Sequence, residues 1–263
     1  MRIESKDRSI VVGRPVDYHV HSLHSIDGES SIGEMCRQAV KLGLVEIGFC
    51  EHVDFTPSGL GLIDYERYSE ELDRAQSQHG GRLKIRKGIE VDYDRLYQAK
   101  IEEWLEGKHF DFLVGSVHYA DHFIFDLNRL PKMPPETLFR RYYTKVREAV
   151  ESGLFDVVGH FDIIRGYVPA NQDSISLASD IIDSIFEKMV ANKVHLEINS
   201  WRRTDQEPFP CTKLIRRYLR KKGEYFSFGS DAHSWQKLAA GVTQARDLLL
   251  SLQPRNVHVL FER

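Results

Sequence analysis

Short apolar and β-branched runs alternate along the chain with longer segments whose apolar residues recur every three to four positions. The first run, Val16-Asp-Tyr-His-Val-His-Ser22, reads as a strand. It is followed by a helix over 32–42, where Ile32, Met35, Cys36, Ala39 and Val40 share one face and Gly43 supplies a stop. Further strands are expected over 44–49, 83–91, 110–117, 155–159, 194–199 and 225–229. Helical spacing covers 65–78, 99–106, 136–151, 176–192, 211–222 and 237–252; Pro135 sits just inside one start, and Gly153 and Gly223 close two ends. Each of the seven expected strands is followed by a helical or partly helical segment, and no Pro/Gly/Ser-rich linker divides them. Residues 1–263 therefore read as one α/β domain, with 1–15 a short N-terminal extension. Periodicity alone leaves a closed barrel and an open doubly wound sheet as alternatives.

Composition narrows the function classes. In the 263 residues, 41% are apolar and 29% charged, the balance of a soluble globular protein. A formal net charge of -3 gives no general attraction to nucleic acid or to an anionic membrane, so an anionic substrate must be held by local charge. No run has the uninterrupted apolar length of a membrane span, and residues 1–15 lack the apolar stretch of a secretory signal. The expectation is a cytoplasmic protein acting on a small molecule, with no nucleic-acid or membrane partner. Cys36, Cys50 and Cys211 are too widely spaced for a disulfide framework or a C-x-x-C metal motif and read as reduced thiols.

The chemistry lies at the strand ends, where parallel α/β folds build their sites. His19 and His21 are one residue apart, so on a strand both imidazoles reach the same side, and Asp27 follows in the next loop. The second strand ends in Glu51-His52, the third in Glu90, the fourth in His118 and the fifth in His160. The seventh ends in Asp231 and His233. One H-x-H motif is a weak signal; six of seven strands delivering His, Asp or Glu at one end is a strong one. Converging imidazoles and carboxylates repel or stay unsatisfied unless cations hold them. A mixed imidazole and carboxylate set suits zinc, manganese or iron better than calcium or magnesium. Nine such side chains exceed one tetrahedral site and suffice for two or three divalent ions with a bridging carboxylate, an arrangement suited to phosphate-ester hydrolysis.

Together these motifs resemble the PHP (polymerase and histidinol phosphatase) family, over nearly the whole chain from His19 to His233. The segments Asp17-Tyr-His-Val-His-Ser22 and Gly115-Ser-Val-His-Tyr119 are most similar to its bacterial monofunctional histidinol-phosphate phosphatases. The resemblance implies a distorted (β/α)7 barrel with a trinuclear site at the C-terminal ends of its strands. His19, His21, Glu90 and Asp231 would hold one ion, with Glu90 bridging to a second held by His118 and His160. Asp27, His52 and His233 would hold the third; many family members have His where this chain has Asp27. Glu51 would orient a ligand. Arg165 and Arg202, with Arg203 a rival for the latter, would bind phosphate and complete a catalytic set with Glu90. The implied activity is hydrolysis of L-histidinol phosphate in histidine biosynthesis. Asp54, Tyr119, His122 and Trp235 are candidates for meeting its imidazole and ammonium groups. The alternatives are a family member acting on another phosphomonoester or nucleotide, and a non-catalytic metal-binding regulatory module.

Overall fold

The computed structural model of the protein describes residues 14–56, 59–118, 133–167, 174–201 and 207–261. Eight strands form one all-parallel sheet in sequence order: β1 (Val16–Val20), β2 (Glu46–Asp54), β3 (Lys84–Asp92), β4 (Phe112–Ser116), β5 (Val157–Val158), β6 (His195–Asn199), β7 (Tyr225–Gly229) and β8 (His258–Val259). Between them run α1 (Ile32–Leu42), α2 (Tyr65–His79), α3 (Gln98–Leu105), α4 (Pro135–Ser152), α5 (Ser174–Leu177), α6 (Ser179–Asn192), α7 (Thr212–Arg220) and α8 (Val242–Ser251). This is the expected α/β barrel architecture, with one correction: an eighth strand, two residues long, follows α8. Among the described residues, no helix is long and apolar enough to cross a membrane.

The sheet curls because its two ends meet. The backbone N–H of Asp231, just past β7, donates to the His19 carbonyl at 2.8 Å, and the His21 N–H donates to the Ala232 carbonyl at 2.9 Å. β8 pairs with the opposite half of β7, matching Tyr225 with His258 and Phe226 with Val259. One strand thus serves β1 at its C-terminal end and β8 at its N-terminal end.

A register shift in β1 lets it fill both ends of the interior. Asp17 pairs with Ile47 but Val20 with Phe49, so β1 spends three residues where β2 spends two. The extra residue disrupts strict alternation, as bulges do beside active sites. Tyr18 consequently packs with Phe112 and Phe261, at ring-centroid distances of 6.5 and 5.4 Å, while its neighbour His19 reaches Glu90 and Glu197. Gly48 and Gly88 make room for the Phe112 ring, since a Cβ on Gly88 would stand 2.6 Å from it. The aromatic end is thereby closed and the polar end left for the site. Outside the sheet, α1 lays Ile32, Met35, Cys36 and Ala39 against Ile47 and Phe49, and α4, α6 and α7 cover the later strands in the same way. All three cysteines are buried and free.

Helix ends follow local chemistry. Ser31 and Glu34 form a reciprocal capping box at the start of α1, and Gly43 ends it in the left-handed conformation at φ 75°. The last helix begins at Val242 and not at 237. Asp17 accepts the Ala239 N–H at 2.9 Å, and Ala239 and Gly241 both take positive φ, which interrupts the expected helix.

Truncating Phe112 removes the ring that fills the closed end, and it is only 1% exposed. Phe112→Ala is expected to lower unfolding free energy by about 3–5 kcal/mol in urea titration. A loss below about 1 kcal/mol would show that this end collapses without cost.

Candidate metal centre

Glu90 stands at the centre of the polar end, 1% exposed, near the C-terminal end of β3. Its Oε1 lies 2.8 Å from His160 Nε2 and 3.8 Å from His118 Nε2. Its Oε2 lies 3.0 Å from His52 Nδ1, 3.5 Å from His19 Nε2 and 3.7 Å from His21 Nε2. Five imidazoles from four strand ends thus face one carboxylate. Asp231 supplies a second focus, with Oδ1 at 3.2 Å from His21 Nε2, 3.7 Å from His19 Nε2 and 3.8 Å from His233 Nδ1. Asp231 is a non-glycine residue at φ 54°, a conformation Asp tolerates better than most. That turn aims its carboxylate while its N–H closes the seam on His19.

Asp27 lies at the rim, 47% exposed, with Oδ1 3.4 Å from His52 Nε2 and Oδ2 3.2 Å from His233 Nε2. The rings of His52 and His233 both stack against His21, each at 4.3 Å between centroids, and lie 5.9 Å from one another. All nine residues singled out as metal ligands therefore join one network. Three subsets bring donor atoms within 4.8 Å of one another: His19, His21 and Glu90; Glu90, His118 and His160; and His21, His52 and His233.

The surrounding hydrogen bonds decide which ring nitrogens face inward. Glu197 Oε1 lies 2.6 Å from His19 Nδ1, so Nδ1 donates to that carboxylate and Nε2 is the nitrogen turned to the site. Ser25 donates its hydroxyl to Glu51 at 2.6 Å, so at 3.2 Å its oxygen accepts from His21 Nδ1. Burial keeps the His21 ring neutral, so its Nε2 is unprotonated. Both Nε2 atoms are buried and have no hydrogen-bond partner. A buried ring nitrogen without a partner, facing carboxylates, is the arrangement a divalent cation satisfies, and an outer carboxylate or hydroxyl on the far nitrogen is the usual support for such a ligand. The donor set fits a metal.

Burial opposes charge on His19, but Glu197, Asp231 and Glu90 override it and hold the ring well above the usual imidazole range, so it carries a proton that a bound ion would replace. Burial, reinforced by the neighbouring His52 and His233, pushes His21 down to about 3, so it is neutral at pH 7. Burial with the adjacent His160 and His52 likewise pushes His118 down to about 3. Burial also opposes charge on His52, but hydrogen bonds to Asp27 and Glu90 override it and push the ring up to about 10. Glu90 is buried, yet the surrounding histidines, His19 first, hold it well below the usual carboxylate range.

Four supporting groups had not been singled out from sequence. Glu197 on β6 fixes His19 and also accepts the His160 N–H at 2.7 Å. Asn199, two residues on, donates to Glu197 at 3.0 Å and to Asp231 at 3.3 Å. Ser116 donates to Glu90 at 2.5 Å, and Asp92 accepts the His118 N–H at 2.8 Å. The sixth strand, expected to contribute only Arg202 or Arg203 in the loop after it, therefore also supplies a central carboxylate. Its signal was present: Glu197 and Asn199 alternate along β6 as polar residues with apolar neighbours. Glu51 occupies the orienting position expected of it, accepting from the Ser22 and Ser25 hydroxyls at 2.6 Å each.

Arg165 lies in a short 3-10 turn over Ile163–Gly166. Its Nε donates to Asp162 at 2.9 Å, its Nη2 donates to the Pro208 carbonyl at 2.8 Å, and its guanidinium sits 4.8 Å from the Phe209 ring centroid. Arg202, Arg203, Tyr119 and His122 lie outside the described residues. Asp54 is committed to the Thr56 backbone and hydroxyl at 2.6 Å each.

The chain is similar to known proteins over most of its length. A curated histidinol-phosphatase of Lactococcus lactis subsp. lactis (strain IL1403) is 28% identical over 245 residues, 90% of each chain. The histidinol-phosphatase of Bacillus subtilis (strain 168) is 24% identical, covering 82% of this chain and 92% of its own. Among solved structures, histidinol phosphate phosphatase from Lactococcus lactis, complexed with zinc, L-histidinol and phosphate, superposes with a TM-score of 0.80 at 25% identity. That match covers 94% of this chain and 95% of that one. The PHP domain model matches residues 17–201, a span that contains His19, Glu90, His118, His160 and Glu197, and the chain belongs to the PHP domain family.

Proposed function

We propose that this chain is a metal-dependent phosphomonoesterase that hydrolyses L-histidinol phosphate to L-histidinol and phosphate in histidine biosynthesis. One observation carries the reading: the buried Nε2 atoms of His19 and His21, without hydrogen-bond partners, meet Glu90 and Asp231 in a fold whose Lactococcus counterpart was solved with zinc, L-histidinol and phosphate. His19, His21, Glu90 and Asp231 would hold one ion, Glu90 would be shared with a second at His118 and His160, and Asp27, His52 and His233 would hold a third. The grouping of Glu90 with His118 and His160, and the approach of Asp27 to His52 and His233, support this division. Zinc, manganese and iron all match the donor chemistry. When bound, such ions provide a nucleophile at neutral pH and Lewis-acid stabilisation of phosphoryl oxygens.

The chain's own residues set up that chemistry. Glu197 and Ser25 hold the His19 and His21 rings with Nε2 turned to the site. Ser116 fixes the rotation of the Glu90 carboxylate. Asp162, Pro208 and Phe209 hold the Arg165 guanidinium in one plane, a shape matched to phosphate oxygens, and Arg202 would join it in neutralising the charge on the phosphoryl group. Hydrogen-bonded orientation of this kind lowers the cost of reaching the transition state because the dipoles need not reorganise.

A substrate panel tests the reading, using protein loaded with zinc, manganese or iron and comparing L-histidinol phosphate, nucleoside monophosphates and a phosphodiester. Histidinol phosphate is expected to turn over fastest; rapid phosphodiester cleavage with none of histidinol phosphate would reject the assignment. Glu197→Gln keeps the side-chain shape but removes the negative charge that faces His19, and its zinc affinity is expected to fall by about 10–100-fold in a chelator competition. Affinity within about twofold of the unaltered chain would mean that Glu197 does not support a ligand.

A further inference from the structure

A second concave site lies at the far end of the barrel. A groove of about 660 Å³ opens between the C-terminal end of α7, the turn that leads into β7, and the segment joining α8 to β8. Its rim carries Arg216, Arg220, Lys222 and Arg255, all exposed. Their neighbours are differently disposed. Arg217 pairs with Asp183 at 2.5 Å, and Lys221 with Glu187 at 2.7 Å, so the other basic residues of this stretch are tied to α6. Among the described residues, none of the four rim cations has a carboxylate within salt-bridge distance. The acid in the lining, Glu224, is already engaged by the Asn256 side chain at 2.8 Å.

Four unpaired cations around one concavity are unexpected in a chain with a formal net charge of -3. They repel one another and create a local positive field that an anion would relieve. Three are guanidinium groups, whose planar forks match phosphate oxygens. Leu219, Leu252 and Pro254 also line the groove and give it an apolar part. The volume lies in the range of small-molecule sites and exceeds the needs of a single phosphate. Glu224 and Tyr225 mark the N-terminal end of β7, whereas Asp231 follows its C-terminal end, so the groove is separate from the metal centre.

We propose that this groove binds a small molecule carrying more than one phosphate group, with the apolar part accepting an attached ring. The proposal does not depend on the reaction at the metal centre. It is tested by isothermal titration of the metal-loaded protein with magnesium ATP and with tripolyphosphate, in saturating orthophosphate so that anion sites at the metal centre are filled. One equivalent of either probe is expected to bind, more weakly as salt is raised from about 0.05 to 0.3 M. R220E/R255E is expected to weaken that binding by at least about tenfold, while its melting temperature and its affinity for zinc stay those of the unaltered chain. Equal affinity in R220E/R255E would place the probe elsewhere and overturn the proposal. So would the absence of binding by both probes, including a result in which only an acidic peptide or a single-stranded nucleic acid binds the groove.

Discussion

Burial of the Glu90 carboxylate among imidazoles is the constraint on which the rest of this structure turns. An ionised carboxylate removed from water is costly unless opposite charge and hydrogen bonds replace the solvent. Here the replacement comes from Ser116, His160 and His52 at hydrogen-bonding distance, with His19, His21 and His118 further out. Protonated histidines satisfy one carboxylate only partly, because His21 and His118 are held neutral by burial and by each other's neighbours. The cluster is therefore organised to receive positive charge from outside the chain. The inward Nε2 atoms of His19 and His21, buried without hydrogen-bond partners, state the same requirement geometrically.

The barrel serves that requirement with two different ends. At the closed end, Phe112, Tyr18 and Phe261 fill the space that Gly48 and Gly88 leave open. At the polar end, the extra residue in β1 allows Tyr18 to join the aromatic plug while His19 and His21 turn to the site. The hydrogen bonds from Asp231 and His21 across the seam then bring the first and seventh strands together, so closure of the sheet and assembly of the site are one event. Glu197 extends this coupling to β5, since one carboxylate holds both the His19 ring and the His160 backbone.

Much of this was legible before the structure. Strong periodic segments such as α1, α2 and α4 lie within a residue or so of their expected limits, because amphipathic spacing and caps act locally. The gathering of the nine candidate ligands was readable because strand ends in a parallel fold share one side. Other features depend on tertiary context. β8 has two paired residues, too few for any period to register, and β5 is equally short within its longer apolar run. The start of α8 is set by Asp17, more than two hundred positions away, through its bond to Ala239. Glu197 passed unnoticed because it precedes the end of its strand, and its importance comes from His19 and His160, which sequence does not show to be adjacent.

The central claim is that this cluster is completed by more than one divalent ion displacing protons. The most direct measurement is calorimetric titration of zinc into the metal-free protein at pH 7, repeated in buffers of different ionisation enthalpy. His52, although buried, is pushed up to about 10 by Asp27 and Glu90 and so carries a proton at that pH. A ligating imidazole must give that proton up, and metal affinity must weaken as pH falls. The expected result is uptake of at least two ions per chain with net proton release. Failure to bind zinc, saturation by a single ion, or binding with no proton released would contradict it.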